Sequence, residues 1–368
     1  FIKLFYNTYN SVQTSSCLAN VYHNLNVKTV EEDSDAFSGV EIEIKDSSKT
    51  YYETPHWGGS DDLTDNSGFI SNSMMIRSGY YSSSTTITEN NITINLAYGV
   101  RAKSTWIEFD EDTTKPVTVP DTFRFGVVKN TNTSTLYTSF SSAISEASTN
   151  NVLNIWAWTY NENVVINKGI TVIGNSTATS KINGGSGDYA IEVKSNGVTI
   201  KNLTLNGASD SLLYAGNYNS LSVENVVMTS SSSNYGIYFD RTKESTIASV
   251  TVNDTDRKSV YITDGDTITF KDSSFMNASS SHGFEISDSE EIILDNVFIY
   301  NSGYNGSSSY GLYITGSDKI TVQNSTKVGG SKSYELYANE VSSLKIYNST
   351  FVGKNLALIE ESNSFLIE

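Results

Sequence analysis

Four carboxylates in the second half of the chain share one phase of a repeating pattern. Asp264 and Asp266 recur 24 residues on as Asp288 and Glu290, and Arg241 and Lys243 precede them by 23. If each repeat is one turn of a stacked structure, the four acids crowd one corner, with the two cations one turn away. Carboxylates about 5 Å apart repel by roughly 1 kcal/mol even in water. A hard cation with oxygen ligands, Ca2+ in particular, relieves that repulsion. An acid cluster holding calcium beside an Arg or Lys base is also what a sugar lyase needs. The plainer reading is a solvated acidic turn, partly neutralised by Arg241 and Lys243.

Other chemistry-bearing residues fall short of a catalytic set. A glycoside hydrolase needs two carboxylates on one face. Asn253-Asp254-Thr255-Asp256 and Asp264-Gly265-Asp266 supply acids, but Asp256 and Asp266 are 10 residues apart, less than half a repeat. His282, in Ser281-His282-Gly283, occupies the slot that Tyr235 and Tyr310 fill in other copies, each just before a glycine. That slot marks it as an outward residue of the repeat. His23, His56 and His282 are far apart, and Cys17 is the single cysteine, which reads as a core residue. No Cys/His metal spacing, phosphate-cradling loop or nucleophile motif is present. Trp156 and Trp158 share a face and could stack on sugar, with packing the simpler role. No catalytic residue is assigned.

The elements that position these residues come from an internal repeat, the feature to settle before any other. From residue 190 onward the pattern is apolar-x-apolar, a few polar residues, then apolar-x-apolar-x-Asn. Its anchors are Val198, Leu221, Ser245, Ile268, Ile292, Ile320, Leu344 and Phe365, spaced by 23, 24, 23, 24, 28, 24 and 21. Two residues on lie Ile200, Val223, Ile247, Phe270, Leu294, Val322, Ile346 and Ile367, apolar in every copy. Short β-branched strands of this kind cannot bury their inward face alone. Stacked about 4.8 Å apart, they bury a continuous column. The 28-residue copy carries an inserted loop between Tyr300 and Tyr310.

Four residues after each anchor runs a polar column: Asn202, Asn225, Ser249, Asp272, Asn296, Asn324 and Asn348. An amide repeated at one turn both donates to and accepts from its neighbours along the stack. The sequence therefore predicts a structural asparagine ladder through Asn202, Asn225, Asn296, Asn324 and Asn348, with buried side chains. The chain also holds nine Asn-x-Ser/Thr sequons. Asn202, Asn324 and Asn348 fall in the ladder and are expected to stay bare. Asn91, Asn132, Asn175, Asn253, Asn277 and Asn305 fall in loops and are the candidates for N-linked glycans, which would place the protein outside the cell.

The first third reads differently. Leu25, Val27 and Thr29, then Val40, Ile42 and Ile44, then Ile92, Ile94 and Leu96 alternate with polar residues, as half-buried antiparallel strands do. Thr113 to Pro120 holds two of the three prolines and reads as a linker. These signals predict a β-sandwich module over 1–122 and a solenoid over 123–368. Between Ser139 and Thr149, Phe140, Ala143, Ile144 and Ala147 share a helical face that would cover the first turn. At the far end the chain stops inside a repeat at Phe365-Leu366-Ile367-Glu368, so either the natural chain continues or another copy stacks there. Phe1 likewise begins mid-pattern.

The net charge of −17 sets the chain against nucleic acid and anionic membranes. No apolar run reaches the roughly 18 residues of a membrane helix.

Two resemblances complete the sequence reading. The order of strands and of the turns Ser38-Gly39 and Thr64-Asp65-Asn66-Ser67-Gly68 resembles a transthyretin-like or carboxypeptidase-regulatory-like β-sandwich, which implies a spacer or adhesive module. Tyr160-Asn161-Glu162-Asn163-Val164-Val165-Ile166-Asn167-Lys168-Gly169-Ile170-Thr171-Val172-Ile173-Gly174, with the repeat behind it, resembles the pectate-lyase-like β-helix superfamily over residues 133–368. That resemblance implies an all-β chain: a right-handed parallel β-helix solenoid preceded by a small antiparallel β-sandwich. The superfamily includes sugar lyases, hydrolases and archaeal adhesin-like surface proteins. Its polygalacturonase-like members carry Asn-x-Asp, Asp-Asp, Gly-His-Gly and Arg-Ile-Lys motifs on successive turns. Here the spacings differ and the basic motif is missing.

The expectation is an extracellular structural or adhesive surface protein, archaeal or bacterial, glycosylated and part of a filament or cell-surface layer. It would self-associate end to end or laterally, and its partner would be a cell-surface polysaccharide. The competing expectation is a polysaccharide-active enzyme or a carbohydrate-binding protein.

Overall fold

The computed structural model describes residues 19–25, 27–30, 36–47, 49–71, 74–82, 85–88, 92–99, 101–107, 127–230, 232–305 and 309–367. The chain divides into two compact units, Phe1–Phe125 and Gly126–Glu368. Cys17, Asn91 and the linker at 113–120 lie outside the described residues, as does the expected boundary at 122.

In the first unit, Ala19–Leu25, Met74–Ser82 and Thr85–Thr88 form one antiparallel sheet. Thr50–Glu53, Glu41–Lys45, Ile92–Tyr98 and Arg101–Ile107 form a second, in that spatial order. Period-two alternation decides which side chains face in. Ile42 pairs with Leu96 and Ile44 with Ile94, and all four are fully buried.

The second unit is a parallel β-helix. Nine strands form one of its parallel sheets: Val164–Ile166, Tyr189–Val193, Ser211–Gly216, Tyr235–Asp240, Lys258–Thr263, Phe284–Ser287, Tyr310–Thr315, Tyr334–Asn339 and Ala357–Glu360. One strand per turn gives nine turns. The remaining strands of each turn run together into a nineteen-stranded sheet, parallel apart from the two short strands Val128–Asn130 and Thr135–Tyr137. The connections wind right-handed, the hand that twisted parallel strands impose.

The repeat lands in register. Ser245, Ile268 and Ile292 are neighbours on successive turns, as are Ile320, Leu344 and Phe365. Val172, Ile200, Val223, Ile247, Phe270, Leu294, Val322 and Ile346 form one buried inner column. Each such side chain contributes about 1.5–3 kcal/mol. The long copy puts its extra residues after Phe298–Tyr300, and the sheet resumes at Tyr310.

The helix Phe140–Glu146 packs on the first turn and buries Phe140, Ala143 and Ile144. Ser139 Oγ accepts the Ser142 N–H at 3.2 Å, and the Glu162 carboxylate accepts the Phe140 N–H at 3.0 Å. Negative charge at the helix start and the Lys168 ammonium on the Ser145 and Ala147 carbonyls at its end both favour the helix dipole.

Left-handed residues recur at corner positions on most turns. Arg241, Asp264, Asp288 and Glu340 mark one corner, and Glu244, Thr267, Glu291 and Lys319 a second. Asn202, Asn225, Ser249, Asp272, Asn296, Asn324 and Asn348 mark the third, and φ runs from 43° to 57° throughout the three. Asn and Asp bear this conformation at least cost. The residue that follows turns inward, as Leu203, Val226, Val250 and Val297 do. Where it is Ser, the hydroxyl serves the buried backbone: Ser289 Oγ accepts the Gly265 N–H at 3.0 Å and donates to its own Ser287 carbonyl at 2.6 Å.

Candidate functional site

The repeat brings the acidic corner together as its register predicts. Asp266 pairs in register with Lys243 on one side and Glu290 on the other, while Asp264 and Asp288 hold equivalent corner positions one turn apart. The corner supplies its own cations. Lys243 Nζ lies 3.3 Å from Asp266, and Lys319 binds both Glu290 and Glu291. The Thr267 hydroxyl, with Lys243, holds the Asp266 carboxyl below its usual range, and the two carboxylates hold Lys319 well above the usual ammonium range. Among the described residues no group of three or more His, Cys, Asp or Glu is placed to hold a metal ion.

The amide columns differ from expectation. Asn225, Asn296, Asn324 and Asn348 are exposed and Asn202 is half-buried, so this corner's side chains point outward. A left-handed residue directs Cβ away from the core, and the polar column marks backbone conformation rather than a buried ladder. Contacts along it are partial: Asn225 Nδ2 donates to Asn202 Oδ1 at 2.9 Å and Asn296 Nδ2 to Asp272 Oδ1 at 2.8 Å, but Asn324 turns to Asp295. A more continuous ladder stands elsewhere. Asn277 Nδ2 donates to Asn253 Oδ1 at 2.7 Å, and Asn301 Nδ2 donates to Asn277 Oδ1 at 2.6 Å. Asn253 and Asn277 are thus half-buried ladder members, not loop residues, and their 24-residue spacing was the available signal. Asn132, Asn175 and Asn305 are exposed. Trp156 is buried, with its backbone N–H donating to the Val127 carbonyl, and Trp158 packs against the core.

The feature that sequence reading missed is the outer face of the nine-stranded sheet. Tyr214, Tyr238, Tyr261, Tyr313 and Tyr337 occupy one column, with Glu192 and Glu285 in the same register. Tyr189, Tyr235, Tyr310 and Tyr334 stand three residues earlier on their strands, with Ser211 and Lys258 in register beside them. Pleating turns the Tyr238 column away from the core because Ile237, Phe239 and Ile262 fill it, and two successive buried residues, as at Gly236–Ile237, bring the earlier tyrosine onto the same side.

The rings stack on one another at the rung spacing. Tyr238 and Tyr261 are 5.0 Å apart and 16° from parallel, Tyr313 and Tyr337 are 4.9 Å and 6°, and Tyr189 and Tyr214 are 4.5 Å and 13°. Stacked faces shield each other, so the half-buried rings present edges and hydroxyls outward. Burial, reinforced by neighbouring carboxylates, pushes the hydroxyls of Tyr189 and Tyr238 up to about 12. Tyr337 reaches about 12 chiefly through its hydrogen bond to Glu360. These hydroxyls stay protonated in neutral solution and can donate.

A polar cluster interrupts the columns. Lys258 Nζ lies 2.8 Å from Glu285 Oε2 and 3.9 Å from the centre of the Tyr261 ring. His282 takes the outward slot next to Tyr310. Its Nδ1 accepts the Tyr310 N–H at 3.3 Å, so in the neutral ring the proton sits on Nε2, 3.6 Å from Glu285. Burial, then the Lys258 charge, lowers the imidazole to about 4. The acids of the hydrolase-like motifs do not join it: Asp256 precedes the strand Lys258–Thr263, and Asp264 and Asp266 follow it.

Comparison with known proteins places this architecture. A family model, right-handed β-helix region, matches residues 136–326 and 235–368, together well over half the chain. Similar solved structures include an alginate lyase from Paenibacillus sp. str. FPU-7, at 11% identity and TM-score 0.46 over 61% of this chain and 94% of that one. Pectate lyase Pel9A follows at 14% and 0.36, over 62% and 72%. The gp42 tailspike of Acinetobacter phage vb_AbaP_AS12 stands at 15% and 0.40, over 56% of this chain and 41% of the tailspike, under half its length. No protein of curated function matches by sequence. With its stacked parallel turns and this match, the chain belongs to the right-handed β-helix family.

Proposed function

We propose that this is an extracellular adhesive scaffold whose nine-stranded sheet holds a linear carbohydrate polymer along its tyrosine face without cleaving it. The observation that carries the reading is the pair of register-locked tyrosine columns, repeating at the rung spacing. A surface with one repeated contact per turn suits a ligand that is itself a repeat. Ring edges and protonated hydroxyls, apolar and polar at once, suit sugar rings bearing hydroxyls. The exposed sequon residues Asn132, Asn175, Asn305, Asn324 and Asn348 support a place outside the cell; exposure removes the reason for which Asn324 and Asn348 were expected to stay bare.

The non-catalytic side of the reading rests on the polar cluster. Both nitrogens of His282 face partners, Lys258 is tied to Glu285, and the imidazole ring lies against Tyr313. The imidazole therefore offers no free nitrogen to take a proton from substrate, and the Glu285 carboxylate is held by Lys258.

The test is co-sedimentation with a panel of insoluble polysaccharides, with reducing ends and unsaturated products assayed in the supernatant. Binding without product release is expected. Tyr238→Ala combined with Tyr261→Ala should weaken binding at least about tenfold. The Phe versions, which keep the stack and lose the hydroxyls, should weaken it less. Sugar release by the wild type sinks the non-catalytic reading, and Ala variants that bind like wild type sink the face.

A further inference from the structure

The tyrosine face already holds one ammonium group. Lys258 places Nζ 3.9 Å from the Tyr261 centroid and 5.7 Å from the Tyr235 centroid, with the Glu285 carboxylate at 2.8 Å. Two ring systems and one carboxylate form a seat for a primary amine, through ring quadrupoles and a charge-assisted hydrogen bond. Tyrosines and carboxylates also meet on the first turns of the face, where the one amine beside them, Lys194, is taken up by Glu192. Tyr189 stacks on Tyr214, and Asp188, Glu192 and Asp210 border the pair.

The charges around the face are unbalanced toward the acids. Lys194 pairs with Glu192 at 2.9 Å, Arg241 with Asp240 at 2.6 Å, and Lys258 with Glu285. Asp188 and Asp210 have no cationic partner among the described residues. Asp188 accepts from Ser209, and Asp210 accepts from Asn234 and Ser211. Glu360 at the other end accepts the Tyr337 hydroxyl. A polyuronate laid along this face would meet carboxylates on most turns, within a chain of net charge −17. An amine-bearing polymer would meet partners.

We infer that the polymer bound on this face is an amino-sugar polymer with free ammonium groups, seated beside Tyr189 and Tyr214 against Asp188 and Asp210 as Lys258 is seated beside Tyr261 against Glu285. The inference rests on the tyrosine-face reading and narrows it to one ligand chemistry. The Tyr189 hydroxyl is raised chiefly by burial and by Tyr214, with Asp210, Glu192 and Asp188 adding to it.

The experiment is calorimetric titration of the whole chain with soluble oligomers of β-1,4-linked glucosamine, of its N-acetylated form, of galacturonic acid, and of lysine. Glucosamine oligomers should bind about tenfold or more tightly than the N-acetylated form, and added salt should weaken them. Asp188→Asn with Asp210→Asn should remove most of that preference and leave the fold's melting unchanged. N-acetylated or galacturonate oligomers that bind as well as glucosamine overturn the inference. So does oligolysine at equal affinity, which would make the contact one of charge alone. Tyrosine-dependent binding of neutral oligomers with no amine preference overturns this inference and leaves the tyrosine-face reading intact. Binding indifferent to Tyr238→Ala, or absent for every oligomer, overturns both.

Discussion

His282 lies flat against Tyr313, with ring centroids 4.6 Å apart and planes 6° from parallel. The imidazole thus completes a tyrosine stack, and it does so uncharged. Its folded-state pKa, about 4, lies below the ordinary 6.5, so the unfolded chain binds the proton more readily between those values. The stability it contributes is whole above about pH 6.5 and drains away as the pH falls toward 4, by about 3 kcal/mol at the limit. Denaturant midpoints of wild type and His282→Gln at neutral pH and near pH 4 should show a flatter dependence in the variant. Parallel curves would mean that the ring charges freely in the folded state.

Thr267 is β-branched and left-handed, with φ 55°. That conformation is adverse for a branched Cβ. Thr267→Asn should stabilise the chain by about 1 kcal/mol, since Asn tolerates the corner and can still hydrogen-bond locally. A lower melting temperature in the variant would show that the Thr267 hydroxyl on Asp266, 2.8 Å away, outweighs the backbone term.

Gly174 is required by the turn stacked on it. A Cβ there would stand 2.1 Å from the Asn202 carbonyl oxygen and 2.9 Å from Leu203 Cβ. Gly174→Ala should cost about 1–3 kcal/mol, because a backbone atom must move. Gly185→Ala, where a Cβ would meet nothing within 4 Å, separates steric from backbone cost: φ is 60° there and only the conformational penalty applies.

The half-buried ladder makes a prediction about modification. Sugar on Asn277 would break its bonds to Asn253 and Asn301. Peptide mapping after expression in a glycosylating host should find Asn253 and Asn277 bare and sugar at one or more of the exposed Asn132, Asn175, Asn305, Asn324 and Asn348. Asn277→Ala should cost about 1–3 kcal/mol through loss of the paired amides. Sugar at Asn277 in folded protein would refute the ladder.

At the acidic corner, Lys243 and Lys319 already neutralise the acids. Chelation should therefore move the melting temperature by no more than about 1 °C, since little binding energy is linked to folding. Lys243→Ala with Lys319→Ala should lower the melting temperature by a few degrees at most, more at low salt, by leaving Asp266, Glu290 and Glu291 to repel one another. Calcium stabilisation of the wild type would mean that the corner takes an ion despite Lys243 and Lys319.

How much of this was legible in the sequence depends on what each residue records. The inner column was plain because Ile247, Phe270 and Leu294 are apolar at a fixed interval, and burial is what that interval reports. The acidic register followed from the same interval. The third corner was placed correctly but turned the wrong way: Asn225 and Asn296 repeat because they accept positive φ, and repetition alone does not distinguish that from burial. The tyrosine face was present too, since Tyr214, Tyr238, Tyr261, Tyr313 and Tyr337 each lie seven residues before an anchor. Attention to apolar positions hid it, because a tyrosine between two inward residues reads as spacer. The ion pair of Lys258 with Glu285 was beyond a sequence reading, as it joins different columns on neighbouring turns.

The long copy between Phe298–Tyr300 and Tyr310–Thr315 shows that one corner absorbs additional residues while the sheets on either side keep their register. The molecule therefore behaves as a ruler with interchangeable divisions. Gain or loss of a whole copy would change its reach by about 4.8 Å and add or remove one step of the tyrosine track, leaving every other step as it was. A single residue gained within a strand would reverse which side chains face in, from that point to the next corner. Such a chain is free to change in length by whole turns, and on the proposed adhesive reading its grip would scale with the number of turns.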